Sequence, residues 1–209
     1  MPIVTISRMF GSGGSEVAAR IAAALGWSLL DNAFVDRVAS RLRTTPAMVE
    51  AIQERVPSLA RRVADVLTLG SPEMLPGVPE GGYGVTEERV LDMTRRVLDE
   101  TVAQGPLVVV GRGAQMALAE RADAIHVFCY APAAALAERI AARESIPLAD
   151  ARQRAEKVNR EREQYVHRHW QRNWRSVEHY HLCLDTAWLG IDGAAQLVVD
   201  LARARFTNS

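Results

Sequence analysis

The sequence predicts a three-layer α/β domain, a parallel sheet of about five strands with helices on both faces. Three observations predict it. Short apolar, β-branched runs recur at 2–6, 107–110 and 124–130, as in strands buried on both sides. Segments of helical periodicity separate them, so each strand returns through a helix to lie parallel to the last. The first run also enters a glycine-rich turn, Gly11-Ser-Gly-Gly14, that leads straight into a helix.

Pro2–Ile6 is the first strand. Ser15–Leu25 is a helix, with Val17, Ala18, Ile21, Ala22 and Leu25 on one face and Gly26 as its stop. A brief run at Trp27–Leu30 ends at Asp31. Helical periodicity resumes through Phe34, Val35, Val38 and Leu42, and again from Pro46 to about Leu67. Leu69–Val85 is rich in glycine and proline and is expected to be a mobile insertion near the site. Thr86-Glu-Glu opens a helix to about Gln104. The strand Leu107–Val110 closes on Gly111-Arg112-Gly113, and the strand Ala124–Tyr130 precedes an alanine-rich helix to about Glu144. Residues 147–175 read as a long polar helix or helix pair. A last strand, His181–Leu184, ends at Asp185, and Gly193–Arg205 is a closing amphipathic helix.

The chain has 209 residues and a net charge of zero, which gives no bulk attraction to nucleic acid or to an anionic membrane. Lys157 is its one lysine among 25 cations, so any phosphate would be gripped mainly by planar arginine donors. Cys129 and Cys183 have no metal-ligand spacing and suit small buried residues in a reducing compartment. No apolar run reaches the ~20 residues of a bilayer span. A cytoplasmic protein is expected; the oligomeric state stays open.

A glycine loop between strand and helix can present successive backbone N–H groups to a phosphate, with the helix N-terminus adding positive potential. Gly11, Ser12, Gly13 and Gly14 form that loop, and Ser15 is placed to offer its hydroxyl to Mg²⁺. In the pattern Gly-x-x-x-x-Gly-Lys-Ser/Thr the lysine falls on Gly14 and the leading glycine near Arg8. The cation that normally reaches the β- and γ-phosphates is therefore missing. Arg8 and the arginines after residue 150 are the candidates to replace it.

The opening Ile6-Ser-Arg-Met-Phe-Gly-Ser-Gly-Gly-Ser-Glu-Val17 resembles the start of the cytidylate kinase-like family, a branch of P-loop kinases that lacks the loop lysine. Val108-Val-Val-Gly-Arg-Gly113, Asn159-Arg-Glu-Arg-Glu-Gln-Tyr165 and Tyr180-His-Leu-Cys-Leu-Asp-Thr186 follow in the same order. The resemblance implies a P-loop kinase fold over 1–209 as one domain, with an acceptor-binding helical insertion at about 31–85 and a lid at about 147–175. It implies ATP and Mg²⁺ on Arg8 and Gly11–Ser15, and a nucleotide acceptor near Asp31, Asn32, Arg37 and Arg112. Gly113 replaces the acid of the family's Gly-Arg-Asp, and Asn159 replaces an acid in the lid, which implies a looser lid.

Arg112 stands out on its own residues too, directly after a buried strand at the sheet edge where α/β folds bind ligands. Between 151 and 175 eight cations face three acids. Arg154, Lys157 and Arg160 share one helical face, and a basic helix folding over a triphosphate would neutralise charge in the transition state. Lys157, Arg160 and Arg162 are the catalytic candidates with Arg112, and Arg154 is next. Trp170 and Trp174 at i,i+4 read as a packing stripe. His167/His169 and His179/His181 lack the further ligands a zinc site needs.

The expected function is ATP-dependent phosphotransfer to a nucleoside monophosphate of the cytidylate type. The alternatives are kinase action on another small metabolite, or a nucleotide-binding sensor that has lost catalysis. An RNA-binding module rests only on the basic segment and is disfavoured by the neutral charge.

Overall fold

The computed structural model describes residues 1–49 and 86–206. Five strands, β1 (Ile3–Arg8), β2 (Ser28–Leu30), β3 (Leu107–Val110), β4 (Ala124–Tyr130) and β5 (Leu182–Asp185), form one sheet in the order β2-β3-β1-β4-β5. Every pairing is parallel. The expected strand number and direction are thus observed.

The apolar runs work because both faces are covered. On β3, Leu107 and Val109 join Val35, Val38, Val97 and Leu98 on one side. Val108 and Val110 join Val17, Ile21, Ala194 and Val198 on the other. The first layer is supplied by α2 (Asn32–Leu42) and α3 (Glu87–Val102), the opposite one by α1 (Gly14–Leu25) and α7 (Thr186–Phe206, broken at Gly190). The period-2 alternation of a strand sends neighbouring valines into different cores. Thr86 caps α3 by accepting the Arg89 N–H at 3.3 Å.

Two further helices, α5 (Ala133–Glu144) and α6 (Leu148–Trp170), pack together beside the sheet, and a short α4 (Ala114–Ala117), which periodicity did not reveal, follows β3. The 147–175 segment is therefore one helix that stops at Trp170; Trp174 lies beyond it, so the two tryptophans do not form a helical stripe. α6 is polar overall, yet Ala151, Ala155 and Asn159 are buried at four-residue spacing. Small side chains on that stripe let α6 lie close to α5. Residues 46–49 are helical; the rest of the expected 46–67 helix and the 69–85 loop lie outside the described residues. No helix of the described residues is long and apolar enough to cross a membrane.

Because all strands run one way, β1, β3 and β4 deliver Arg8, Gly111 and Ala131 to the same edge. β1 connects toward the β2 edge while its neighbours β3 and β4 connect toward the β5 edge, so adjacent connections diverge and open a crevice there.

Candidate functional site

The glycine loop sits on that edge. Met9 N–H extends the ladder to the Cys129 carbonyl at 2.9 Å, and Val17 N–H closes the first helical turn on the Gly13 carbonyl at 3.0 Å. Gly13 caps α1 in the left-handed region, with Ile191 packed where its β-carbon would be. Gly11, Ser12 and Gly14 are buried, whereas Ser15 is exposed at the start of α1.

The Ser12 carbonyl accepts two hydrogen bonds, from Thr186 Oγ1 at 2.6 Å and from Arg139 Nη1 at 3.0 Å. Arg139 Nη2 also donates to the Thr186 carbonyl at 2.8 Å. Turning this carbonyl outward toward α5 and α7 fixes the peptide plane at the tip of the loop. Ser12 Oγ, by contrast, is buried with no hydrogen-bond partner among the described residues. Trp188, two residues past Thr186, is 84% exposed.

From the other side α6 holds the loop. Asn159 Oδ1 accepts the Phe10 N–H at 2.7 Å, and Arg162 Nη1 donates to the Arg8 carbonyl at 2.8 Å. The guanidiniums of Arg143, Arg162 and Arg154 lie 4.9, 5.7 and 5.8 Å from the centre of the Phe10 ring, within cation–π range. Asn159, expected to loosen this segment, is buried and hydrogen-bonded to the loop backbone. A buried amide oxygen is a better fit than a buried carboxylate to one backbone donor, since no charge has to be desolvated.

Between the sheet edge and α6 lies a cavity of about 100 Å³ lined by Arg8, Arg112, Glu161, Arg162, Tyr165 and Trp174, among others. Arg112 takes a left-handed conformation (φ 58) between Gly111 (φ 70) and Gly113 (φ 67). Three successive residues there turn the chain sharply, and a non-glycine residue held so is a mark of functional sites. A β-carbon on Gly113 would lie 2.6 Å from Trp170 Cζ3, so an indole occupies the space of any side chain at this position. Behind the wall, buried Gln115 and Tyr180 are linked at 3.4 Å, and Tyr180 donates to the Trp174 carbonyl at 2.6 Å. Burial pushes the Tyr180 phenol up to about 12, and likewise the Cys129 thiol under the loop, so both stay neutral.

The structure thus brings Arg8, Arg112 and Arg162 together on this cavity, whereas Gly11–Ser15 follow Arg8 at the same sheet edge without lining it. Other candidates lie apart. Lys157 and Arg160 are exposed on α6, and Arg154 pairs with Glu144 at 2.7 Å. Asp31 is the N-cap of α2, Asn32 begins that helix, and Arg37 Nη1 reaches Thr101 Oγ1 at 3.4 Å. Of these, Lys157, Arg160, Arg154, Asp31 and Arg37 do not line the cavity. Sequence reasoning missed Asn159, Arg139 and Thr186 as holders of the loop. Two signals were present: Asn159 continues the 151–155 stripe, and Arg139 sits beside Leu136 and Ile140 on the buried side of its helix.

A family model described as the cytidylate kinase-like family matches residues 3–187. The chain belongs to the cytidylate kinase-like family. Among solved structures, an uncharacterized protein from Eubacterium ventriosum superposes with a TM-score of 0.71 at 17% identity, covering 98% of this chain and 99% of that one. TT1252 from Thermus thermophilus gives 0.54 at 20% identity, over 98% and 97%. Shikimate kinase from Bacteroides thetaiotaomicron gives 0.51 at 13% identity, over 96% and 97%. These likenesses show a shared kinase-type fold. A comparison with curated proteins finds no match.

As for cofactors, a glycine cradle, an orphaned Ser12 hydroxyl and surrounding guanidiniums fit a nucleotide's phosphates. No cluster of three or more metal-ligating side chains occurs among the described residues.

Proposed function

We propose that this family member is an ATP-dependent phosphotransferase, organised as one P-loop domain, whose first acceptor to test is a nucleoside monophosphate of the cytidylate type. The observation that carries the reading is the convergence of Arg8, Arg112 and Arg162 on one cavity, at the end of the strand that enters the glycine loop. Three cations at that strand end are suited to a reaction in which charge moves between phosphate oxygens.

In this reading the loop N–H groups bind the donor phosphates, and Ser15 faces the magnesium ion. Mg²⁺, which Ser15 would help to hold, would supply neutralising charge to the donor phosphates when bound. Arg112 orients the acceptor phosphate at the end of β3. An acceptor oxygen bonds to the γ-phosphorus as the bond to the bridging oxygen breaks, leaving ADP. The acceptor is already anionic, so no general base is required. Arg162, held to the loop backbone, stabilises the transferring group, and α6 acts as the lid. The neutral, buried Cys129 thiol fits a reducing cytoplasm.

A second reading, a nucleotide-binding sensor, is favoured by the solvent-facing Lys157 and Arg160 and by the loss of an acid at Gly113. A coupled ADP-release assay with ATP–Mg²⁺ against CMP, dCMP, UMP, AMP and GMP separates the two. Turnover with one acceptor that is lost in Arg112→Ala and Arg162→Ala, but kept in Arg160→Ala, supports the kinase. Silence with every acceptor, while ATP still raises the melting temperature, supports the sensor or a non-nucleotide acceptor.

A further inference from the structure

We infer that Arg8 and Gly14 form an exchanged pair, in which the arginine at the end of β1 supplies the phosphate-binding charge that a lysine at position 14 supplies in other P-loops. This rests on the nucleotide-binding reading of the loop and adds to it the residue that reads the terminal phosphates.

The side chain of Arg8 leaves the strand across Gly14. A β-carbon built on Gly14 would run into Arg8 Cβ and lie 3.0 Å from Arg8 Cγ, with Cys129 Cβ at 3.3 Å. Position 14 is thus closed to any side chain because Arg8 already fills its space. The guanidinium then reaches the end of β3. A β-carbon on Gly111 would lie 2.9 Å from Arg8 Cζ and 3.4 Å from Nη2. Two glycines therefore clear a track for one arginine, from the start of α1 to the residue before Arg112.

That track places the charge in the cavity shared with Arg112 and Arg162, at the end of β3. The Arg8 backbone is pinned as well, its carbonyl accepting Arg162 Nη1 at 2.8 Å. A loop lysine approaches its phosphates from the helix; Arg8 approaches the same space from the strand. A planar guanidinium can there contact oxygens of two phosphate groups at once, which an ammonium point charge does less well.

The test is calorimetric titration of ATP–Mg²⁺ and of AMP into the full chain, with thermal melts of each variant. Arg8→Met keeps much of the stem packing and removes the charge. It is expected to weaken ATP about 10- to 100-fold, the worth of one charged hydrogen-bonding group, and to leave AMP within about threefold. Gly14→Lys alone is expected to melt below the wild type, because the new side chain meets Arg8. The exchange Arg8→Gly with Gly14→Lys is expected to melt above Gly14→Lys and to bind ATP more tightly than Arg8→Met.

A folded Arg8→Met that binds ATP as the wild type does overturns the assignment of Arg8 and leaves the phosphate loop standing. If Arg8→Met does not fold, an exchange variant that melts no higher than Gly14→Lys overturns the pairing. A wild type that binds no ATP overturns both the pairing and the function proposed for the loop.

Discussion

Asn159 Oδ1 holds the Phe10 N–H at 2.7 Å, which ties the middle of α6 to the glycine loop across 149 positions of sequence. Asn159 is 3% exposed, so its removal leaves a backbone donor without a partner. Asn159→Ala is expected to cost about 1–3 kcal/mol in urea unfolding and to weaken ATP binding, because Phe10 then loses its anchor. Asn159→Asp retains an acceptor and should lose less ATP affinity than Asn159→Ala.

Thr186 and Arg139 hold the far side of the same loop. Thr186→Val keeps the shape and deletes the hydroxyl that donates to the Ser12 carbonyl. It is expected to cost about 1–2 kcal/mol and to raise the KM for ATP more than it lowers kcat. Thr186→Ser should restore most of both. A Thr186→Val protein with wild-type KM would show that the loop keeps its shape without this bond.

Gly113 meets a different limit. It has φ 67 and faces the Trp170 ring, so Gly113→Ala combines a left-handed β-carbon with a direct overlap. A loss of about 2–4 kcal/mol is expected. Trp170→Ala in the same chain should recover the overlap but not the backbone strain, so the two changes are non-additive in a double-mutant cycle. Gly113→Asp, which recreates the family's acid, should likewise require a smaller residue at 170.

Acid sensitivity should come from the other end of β4. His126 is buried, its Nδ1 lies 2.8 Å from Thr5 Oγ1, and its ring stacks on His181 at 5.1 Å. Burial, and then the neighbouring His181, lower the imidazole from 6.5 to about 4. Between those two values the unfolded chain binds the extra proton, so this contribution is complete above about pH 6.5 and is lost as pH falls toward 4. The expected loss is on the order of 2–3 kcal/mol, read from urea midpoints across that range. His126→Phe should flatten the slope, whatever it does to stability at neutral pH.

The strands that position the site were legible because burial on both faces writes one unbroken apolar run, as in 107–110 and 124–130, which are the observed bounds. Gly11–Gly14 and Arg112 were legible because a loop at a strand exit carries its chemistry in consecutive residues. The supports of the loop were not, since Asn159, Arg139 and Thr186 come from three distant elements and meet only once the helices pack. Along α6, Lys157 and Arg160 carry the charge pattern, while the turn of the helix that reaches the cavity presents Glu161 and Arg162. Periodicity placed the helix but not which polar residues its small-residue stripe would pull inward.

The exposed indole beside the loop has an optical consequence. Of four tryptophans, Trp174 is 3% and Trp188 84% exposed. Trp188 lies between Thr186, which grips Ser12, and Ile191, which touches Gly13. Its emission should be red-shifted and open to iodide, while that of Trp174 is shielded. Occupancy of the loop should therefore register in the quenching of unlabelled protein, and a Trp188→Phe control would silence that reporter while leaving every hydrogen bond of the loop in place.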